Sequence, residues 1–363
     1  MFTTLLAGRD MSVTQRSSIL VLGAGNFGTC LAQHLALKGE SVYLWGRSPE
    51  VIETINREHR NPRYLSDVDL SPHIQGVAEL SEQDLSQTKA LVLATPTQGL
   101  RPILTKLAPV IGNSHPLIVC AAKGIEIQTL MLPLQVLDDV MGTSTADNAV
   151  ILSGPSFAIE VVRQQPTAVS VASRNPKSCE QAQHLFHTAF FRAYTSDDPT
   201  GLEVAGALKN VMAIAAGACE GLGMQQNARA ALLTRSLAEM TRVGVALGAN
   251  PITFTGLGGV GDLFLTCTSP KSRNFSLGFA IGQGGTVETS LKSLGSTAEG
   301  FYTAKAAYDL SRKLGTDTPV INQVYQVLYE GKPLQQAIHE LLNRAMKPEI
   351  TLPARGVDAK SGD

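Results

Sequence analysis

Four apolar residues in succession, Ile19-Leu20-Val21-Leu22, open the regular part of the chain. A short run without polar alternation, half of it β-branched, predicts a parallel strand buried on both faces. From Thr29 to Lys38 the period changes: Leu31 and Leu35, with the small Ala32 and Ala36, recur at helical spacing, and Gly39 stands where a C-cap belongs. Strand-like runs then return at Ser41–Trp45, Ala90–Thr95, Pro116–Ala121, Ala149–Leu152 and Thr167–Ala172, separated by helical or looped segments. This alternation predicts a doubly wound, mostly parallel sheet. Beyond Thr195 the segments Val204–Cys219, Arg229–Leu247, Ala298–Leu314 and Gln323–Leu328 are rich in alanine and leucine, so the second half is expected to be helical.

The join between the first strand and helix reads Gly23-Ala24-Gly25-Asn26-Phe27-Gly28. In that setting Gly23 permits the turn, Gly25 lets backbone approach a pyrophosphate, Gly28 allows close helix–strand packing, and free N–H groups at the helix start face the anion. The fold expected is therefore an α/β Rossmann domain followed by an all-α domain. A second match to the glycine pattern, Gly256 to Gly261, precedes "DLFLTCTS", which reads as a loop or short turn rather than an amphipathic helix. Its expected use is to bring backbone and Asp262 close to a ligand. The second strand ends in Arg47 with no acid beside it, where an Asp or Glu would bond the ribose hydroxyls of NAD and an Arg would accommodate the 2′-phosphate of NADP. NADP(H) is thus expected to be accepted, unless Arg47 is a solvated loop residue and Glu50 or Glu53 turns inward.

Composition narrows the classes. At 363 residues and 44% hydrophobic content the chain supports two packed cores. The expected division is a disordered tail over 1–17 (with Met11 an alternative start), a dinucleotide domain over 18–200, a helical domain over 201–345 and a tail over 346–363. Thr195–Gly201 is the expected hinge, and Gly282–Ser290 the stretch expected to be mobile. A net charge of −1, with Lys and Arg scattered, offers no nucleic-acid or membrane-surface footprint. The five cysteines, Cys30, Cys120, Cys179, Cys219 and Cys267, are odd in number, widely spaced and without CxxC. That usage fits reduced thiols in a cytoplasm and argues against zinc held by cysteines. No run of about 20 strongly apolar residues suggests membrane insertion.

Lys209 is the one charge between Val204 and Cys219 in an otherwise apolar or small-residue helix. Desolvation lowers a lysine pKa and fits it to pass a proton to a substrate oxygen; the alternative is a stem that snorkels to solvent. Asn210 beside it offers a hydrogen bond to a ligand or a local carbonyl. Lys123 follows a strand, at the sheet edge where ligands bind, or is a surface lysine. Ser153–Ala158, "SGPSFA", also follows a strand and either lines the cleft or turns the chain. Lys271, Ser272, Arg273 and Asn274 form a basic loop suited to a phosphate or carboxylate. The seven histidines, His34, His59, His73, His115, His184, His187 and His339, mostly fall on apparent helix surfaces or loops, His184 with His187 reads as a solvated helix face rather than a metal pair, and no metal is expected.

In order, "GAGNFGT", "LWGR", "NPRYL", "AAKGIE", "SGPSFA", "GALKNVMAIAAG", "NARAALLTRSLAEM", "GLGGVGDLFLTCTS", "SRN", "AEG" and "YQVLYEGK" resemble the bacterial-type NAD(P)-dependent glycerol-3-phosphate dehydrogenases, from Ile19 to about Arg344. The resemblance implies reversible reduction of dihydroxyacetone phosphate to sn-glycerol 3-phosphate for phospholipid synthesis, by NADPH or NADH and without metal. It implies that Asn26, Phe27, Arg47, Ala158, Thr297 and Glu299 contact the cofactor beside Gly23, Gly25 and Gly28, with Lys123 and Arg273 reaching it too. Lys123, Gly154, Ser156, Lys209, Asn210, Asp262, Ser272, Arg273 and Asn274 would surround the substrate. Lys209 would be the general acid and base, assisted by Asp262 and Lys123, and a homodimer through the helical domain is expected. Phe27 stands where the family often has a larger or hydroxylated aromatic. Ketopantoate reductases and β-hydroxyacid dehydrogenases, which also use a helix lysine, are the rival reading, and a non-catalytic NADP-sensing module is the rival of another class.

Overall fold

The computed structural model describes residues 18–80, 88–111, 116–295, 298–346 and 348–349. The expectations for residues 1–17, for Thr297, for His115 and for most of the tail beyond 346 lie outside the described residues.

The strands are β1 (Ser18–Leu22), β2 (Ser41–Trp45), β3 (Ile74–Val77), β4 (Thr88–Leu93), β5 (Leu117–Cys120), β6 (Val150–Ser153), β7 (Thr167–Ala172) and β8 (Phe191–Ser196). They form one sheet in the order β3-β2-β1-β4-β5-β6-β7-β8, parallel except for the β6–β7 pair. Between β1 and β4 the order reverses, and the crevice at the carboxyl ends of strands flanking such a point is where open α/β sheets bind ligands. Helices α1 (Asn26–Leu37), α2 (Pro49–Glu58), α3 (Leu100–Ile111), α4 (Pro133–Met141), α5 (Thr143–Asn148), α6 (Ala158–Val162) and α7 (Pro176–Phe186) accompany these strands. Because side chains alternate along a strand, Ile19 and Val21 enter one apolar cluster while Leu20 and Leu22 enter the other. The unbroken apolar run of β1 is therefore explained by a core on each side.

After β8 the described chain is helical: α8 (Pro199–Gly221), α9 (Gln226–Ala246), α10 (Asp262–Cys267), α11 (Arg273–Gly282), α12 (Val287–Ser293), α13 (Glu299–Leu314), α14 (Pro319–Tyr329) and α15 (Leu334–Leu342). Helix α8 packs against α9, α10, α11, α13 and α14. By length and composition it is the one described helix apolar enough to cross a membrane, yet 89% of its apolar window is buried inside the protein. It is the core helix of this half. Small residues let its neighbours approach closely. A Cβ on Gly217 would lie 1.9 Å from the Phe275 carbonyl oxygen, and one on Gly278 would lie 1.9 Å from that of Ile214. Helices α8 and α11 are thus in backbone contact, with no room for a methyl group between them.

Two buried carboxyls connect helices end to side. Glu203 of α8 accepts from the Leu134 N–H at the start of α4 (2.7 Å), and Glu239 of α9 accepts from Val320 and Ile321 at the start of α14 (2.7 and 3.2 Å). Each satisfies N–H groups that a helix cannot satisfy itself. Burial pushes Glu203 up to about 8 and Glu239 up to about 7, against the pull of those N–H donors.

Several expectations are corrected. The short "IQGV" of β3 and the alternating "FRAYTS" of β8 are strands that the sequence reading passed over. Within Thr195–Gly201, the expected hinge, Thr195 and Ser196 end β8, and the Asp198 carboxylate accepts from Gly201 N, Asn250 N and the Thr253 hydroxyl at the start of α8. Gly282–Ser290 runs from the end of α11 through a turn closed by Gly285 N to Ala280 O into α12, with Thr286 as its N-cap. Residues after Gly261 form α10, and Arg273 begins α11, where loops were expected. His34 is buried and paired with the Phe186 carbonyl (2.7 Å) rather than on a surface.

Gly217→Ala is expected to destabilise the protein by about 1–3 kcal/mol through overpacking, read as a lowered urea midpoint at constant slope. The control is Gly99→Ala, whose added Cβ meets nothing within 4 Å. Equal midpoints for the two variants would contradict the backbone contact.

Candidate active site

The glycine loop is built as a cradle. Gly23 has φ +121° and a Cβ there would lie 2.7 Å from the Ala94 oxygen, while a Cβ on Gly28 would lie 1.8 Å from the Gly23 oxygen. Gly25, by contrast, has open space where its Cβ would be. Gly25 is also the N-cap of α1, with no side chain capping the first turn and no acid in it. Open space before uncapped N–H groups fits a pyrophosphate, so the residues suit a dinucleotide. Asn26 and Phe27 lie in that first turn. Arg47 is exposed just past β2, next to Gly46, whose Cβ would meet Ala24 of the loop at 2.8 Å. Glu50 and Glu53 of α2 are exposed, and Glu53 pairs with Arg57.

Across the cleft a buried ion cluster joins the two halves. Lys209 is 7% exposed and Asp262 1%. Lys209 Nζ donates to Asp262 Oδ1 (2.6 Å) and to the Thr266 hydroxyl (2.9 Å), and that hydroxyl donates to the Asp262 carbonyl (2.6 Å). Lys123, three residues past β5, donates to the other carboxylate oxygen, Oδ2, at 2.7 Å. Burial pushes Lys209 down to about 8, with Asp262 pulling it back up and Lys123 adding to the drop. For Asp262 burial acts upward, but Lys123 and Lys209 outweigh it and hold the carboxyl below the usual range. The snorkelling alternative for Lys209 is thereby removed: its ammonium ends on a buried carboxylate, not in solvent.

The Asp262 side is shaped by the second glycine stretch. Residues Leu257–Gly261 form a turn kinked at Gly259, whose φ of −92° and ψ of −105° are not helical, and Gly259 passes so close to Phe254 that a Cβ would meet its carbonyl oxygen at 2.1 Å. The turn delivers Asp262 as the first residue of α10.

Arg273, exposed, is the first residue of α11, and Ser272 caps that helix by accepting from Phe275 N. Asn274 donates to the Asn210 side-chain oxygen (2.9 Å) and accepts from Gly300 N (2.9 Å), tying α8, α11 and α13 together. Glu299, at the start of α13, accepts from the Thr97 N–H of the loop after β4. Burial pushes Glu299 up to about 7, against that bond and the Arg273 charge.

The sequence-derived candidates separate accordingly. Lys123, Lys209 and Asp262 meet directly. Asn210 and Asn274 engage each other across α8 and α11, Ser272 caps its own helix through Phe275 N, and Ser156 donates back to the Gly154 carbonyl (3.0 Å). Gly154, with φ +149°, abuts Val169 of β7. Ala158 has its methyl in the sheet core, which leaves only its backbone, at the start of α6, for a ligand. Lys271 is held by Glu160. Thr266 was missed: it lies one turn beyond Asp262, on the same face of a helix read as a loop. The Lys123 ammonium also stands 5.9 Å from the centre of the Phe27 ring, a contact that no sequence spacing announces. Among the described residues no group of three or more His, Cys, Asp or Glu side chains is arranged to hold a metal.

Comparison with known proteins agrees with this arrangement. Residues 18–179 match the model for the N-terminus of NAD-dependent glycerol-3-phosphate dehydrogenase, and residues 198–339 match that for its C-terminus. The glycerol-3-phosphate dehydrogenase [NAD(P)+] of Anaeromyxobacter dehalogenans is 44% identical over 330 residues, covering 91% of this chain and 99% of that one. The crystal structure of glycerol-3-phosphate dehydrogenase from Coxiella burnetii superposes with a TM-score of 0.86 at 35% identity, over 91% of this chain and 99% of that one. The Saccharomyces cerevisiae glycerol-3-phosphate dehydrogenase gives 0.76 at 27% identity, over 90% and 99%. The chain belongs to the NAD-dependent glycerol-3-phosphate dehydrogenase family and is an NAD(P)-dependent oxidoreductase.

Proposed function

We propose that the protein interconverts dihydroxyacetone phosphate and sn-glycerol 3-phosphate, with Lys209 as the acid in reduction and the base in oxidation. The observation that carries this is the buried lysine whose ammonium rests on Asp262 and Thr266 in the cleft between the glycine loop and the start of α11. The glycine loop, Asn26, Phe27, Arg47 and Glu299 would hold the dinucleotide, and the nicotinamide, when bound, supplies the hydride for C2. Negative charge then grows on the C2 oxygen, and Lys209 gives it a proton. Asp262 keeps the ammonium oriented, and Lys123 adds positive charge beside the same oxygen. Arg273, at the start of α11, takes the phosphate.

The product is the glycerol backbone of phospholipids, and the reduced, largely buried cysteines suit a cytoplasmic enzyme. The direct test is consumption of NADPH and NADH with dihydroxyacetone phosphate set against ketopantoate. Turnover of ketopantoate alone would reject the proposal, and loss of NADPH use would reject the role given to Arg47.

The proposed homodimer would use the helical half, where Val245, Ile252, Val260 and Phe264 are exposed on adjoining segments, Ile252 by 72% and Phe264 by 61%. Phe264→Asp is expected to halve the mass seen by light scattering; an unchanged mass, or a monomeric parent, removes this surface from consideration.

With Lys209 near 8, reduction, which needs the ammonium, should slow as pH rises through about 8, while oxidation, which needs the free amine, should quicken over the same interval. Lys209→Ala should lower kcat by about 10²–10⁴-fold, and the fold should survive because Asp262 keeps Lys123. Near-parental turnover in that variant would exclude Lys209 as the acid.

Arg273→Ala should raise KM for dihydroxyacetone phosphate by about 10–100-fold, the range of a lost charge-assisted contact, and should lower kcat as well. Dihydroxyacetone without the phosphate is the control: the substitution should leave its slow reduction unaltered. Equal harm to both substrates would assign Arg273 to the cofactor or the fold.

A further inference from the structure

At the mouth of the cleft a second, exposed ion pair spans the two halves. Lys271 Nζ donates to Glu160 Oε1 at 2.6 Å, and the same ammonium stands 5.8 Å from the centre of the Phe157 ring. Glu160 is the third residue of α6, whose first residue is Ala158, and Phe157 is the N-cap of that helix. Lys271 immediately precedes Ser272, the N-cap of α11, and Arg273, its first residue. One contact therefore ties the segment flanking the dinucleotide to the helix start that faces the phosphate.

The pair adds little to stability, since its side chains are 53% and 41% exposed and ion pairs in water are weak. Its position gives it a different effect. Arg273 is already fixed relative to Lys209 by the contact of α8 with α11, so a tie to α6 adds nothing within the helical half. It governs instead how closely the sheet half stands against the start of α11. It also leaves the Lys271 ammonium on a carboxylate and an aromatic face, whereas no described residue forms an ion pair with Arg273.

We propose that Glu160 and Lys271 are positioning residues, a latch that holds the cleft in its substrate-binding spacing, and that Lys271 does not itself bind the phosphate. This rests on the reading of the α11 start as the phosphate site. Breaking the latch lowers the fraction of molecules with the binding spacing, and binding substrate must then restore it. KM rises in inverse proportion to that fraction, while kcat, set once the cleft has closed on substrate, is retained.

The test is steady-state kinetics of full-length Glu160→Gln, Lys271→Met and the exchanged pair Glu160→Lys/Lys271→Glu, with Arg273→Ala alongside. Each single variant should raise KM for dihydroxyacetone phosphate by about 3–10-fold with kcat within twofold, and the exchanged pair should restore KM. Amide hydrogen exchange over 268–272 should quicken in both single variants and return in the exchanged pair. Direct phosphate binding by Lys271 would show differently: Lys271→Met and the exchanged pair would raise KM while Glu160→Gln left it unchanged or lowered it, and the proposal would fall. Parental KM and exchange in both single variants would also overturn the latch, with Arg273→Ala still impaired. If Arg273→Ala leaves KM unaltered, it is the phosphate site that fails, and the exchange data alone decide whether the two halves are tied.

Discussion

Burying the Asp262 carboxylate would cost several kcal/mol if it stood alone, and the fold meets this with two ammonium groups drawn from opposite halves. Lys123 arrives from the sheet, Lys209 from the central helix, and each takes a different oxygen. The cluster as a whole keeps a net positive charge. That excess suits a site in which an anionic substrate binds and a carbonyl oxygen gains electron density, while the Asp262 carboxylate keeps the buried Lys209 from falling as far as an isolated buried amine would. Asp262 thus raises the proton affinity of the acid through one bond and joins the two halves through the other.

Around that cluster, polar side chains fix the geometry by binding backbone. Asp198 holds the start of α8, Glu203 the start of α4 and Glu239 the start of α14, while Asn274 links Asn210 to Gly300. The helical half contributes little regular hydrogen bonding between elements, since each helix satisfies its own interior. These end-on contacts supply direction where apolar packing alone supplies proximity.

Much of this was legible in the sequence because it is local. The β1–glycine–α1 unit is contiguous, and its glycines are needed for reasons of backbone geometry that any sequence states openly. Lys209 was conspicuous because a charge in an apolar helix requires a partner. The partner itself was harder to read: Asp262 lies 53 residues away, and Thr266 was hidden by taking "DLFLTC" for a loop. That segment opens not from a conventional cap but from a kinked glycine turn, which leaves no capping signature. The strands β3 and β8 escaped for a related reason: one carries a glycine and a glutamine, and the other alternates with polar residues. Asn210 and Asn274 were placed near the substrate by resemblance, but their bond to each other depends on two helices crossing, and no spacing along the chain encodes that.

The glycine-lined contact between α8 and α11 also limits how the molecule moves. Two helices separated by ordinary side chains slide by small rotamer changes, since each chain of atoms between them can bend. Here carbonyl oxygens meet Cα atoms directly, so translation of one helix along the other meets hard repulsion within a fraction of an ångström. Lys209 and Asn210 on one helix and Arg273 and Asn274 on the other consequently travel as a single rigid body. A change in spacing between the sheet and this pair of helices would therefore move all four residues together.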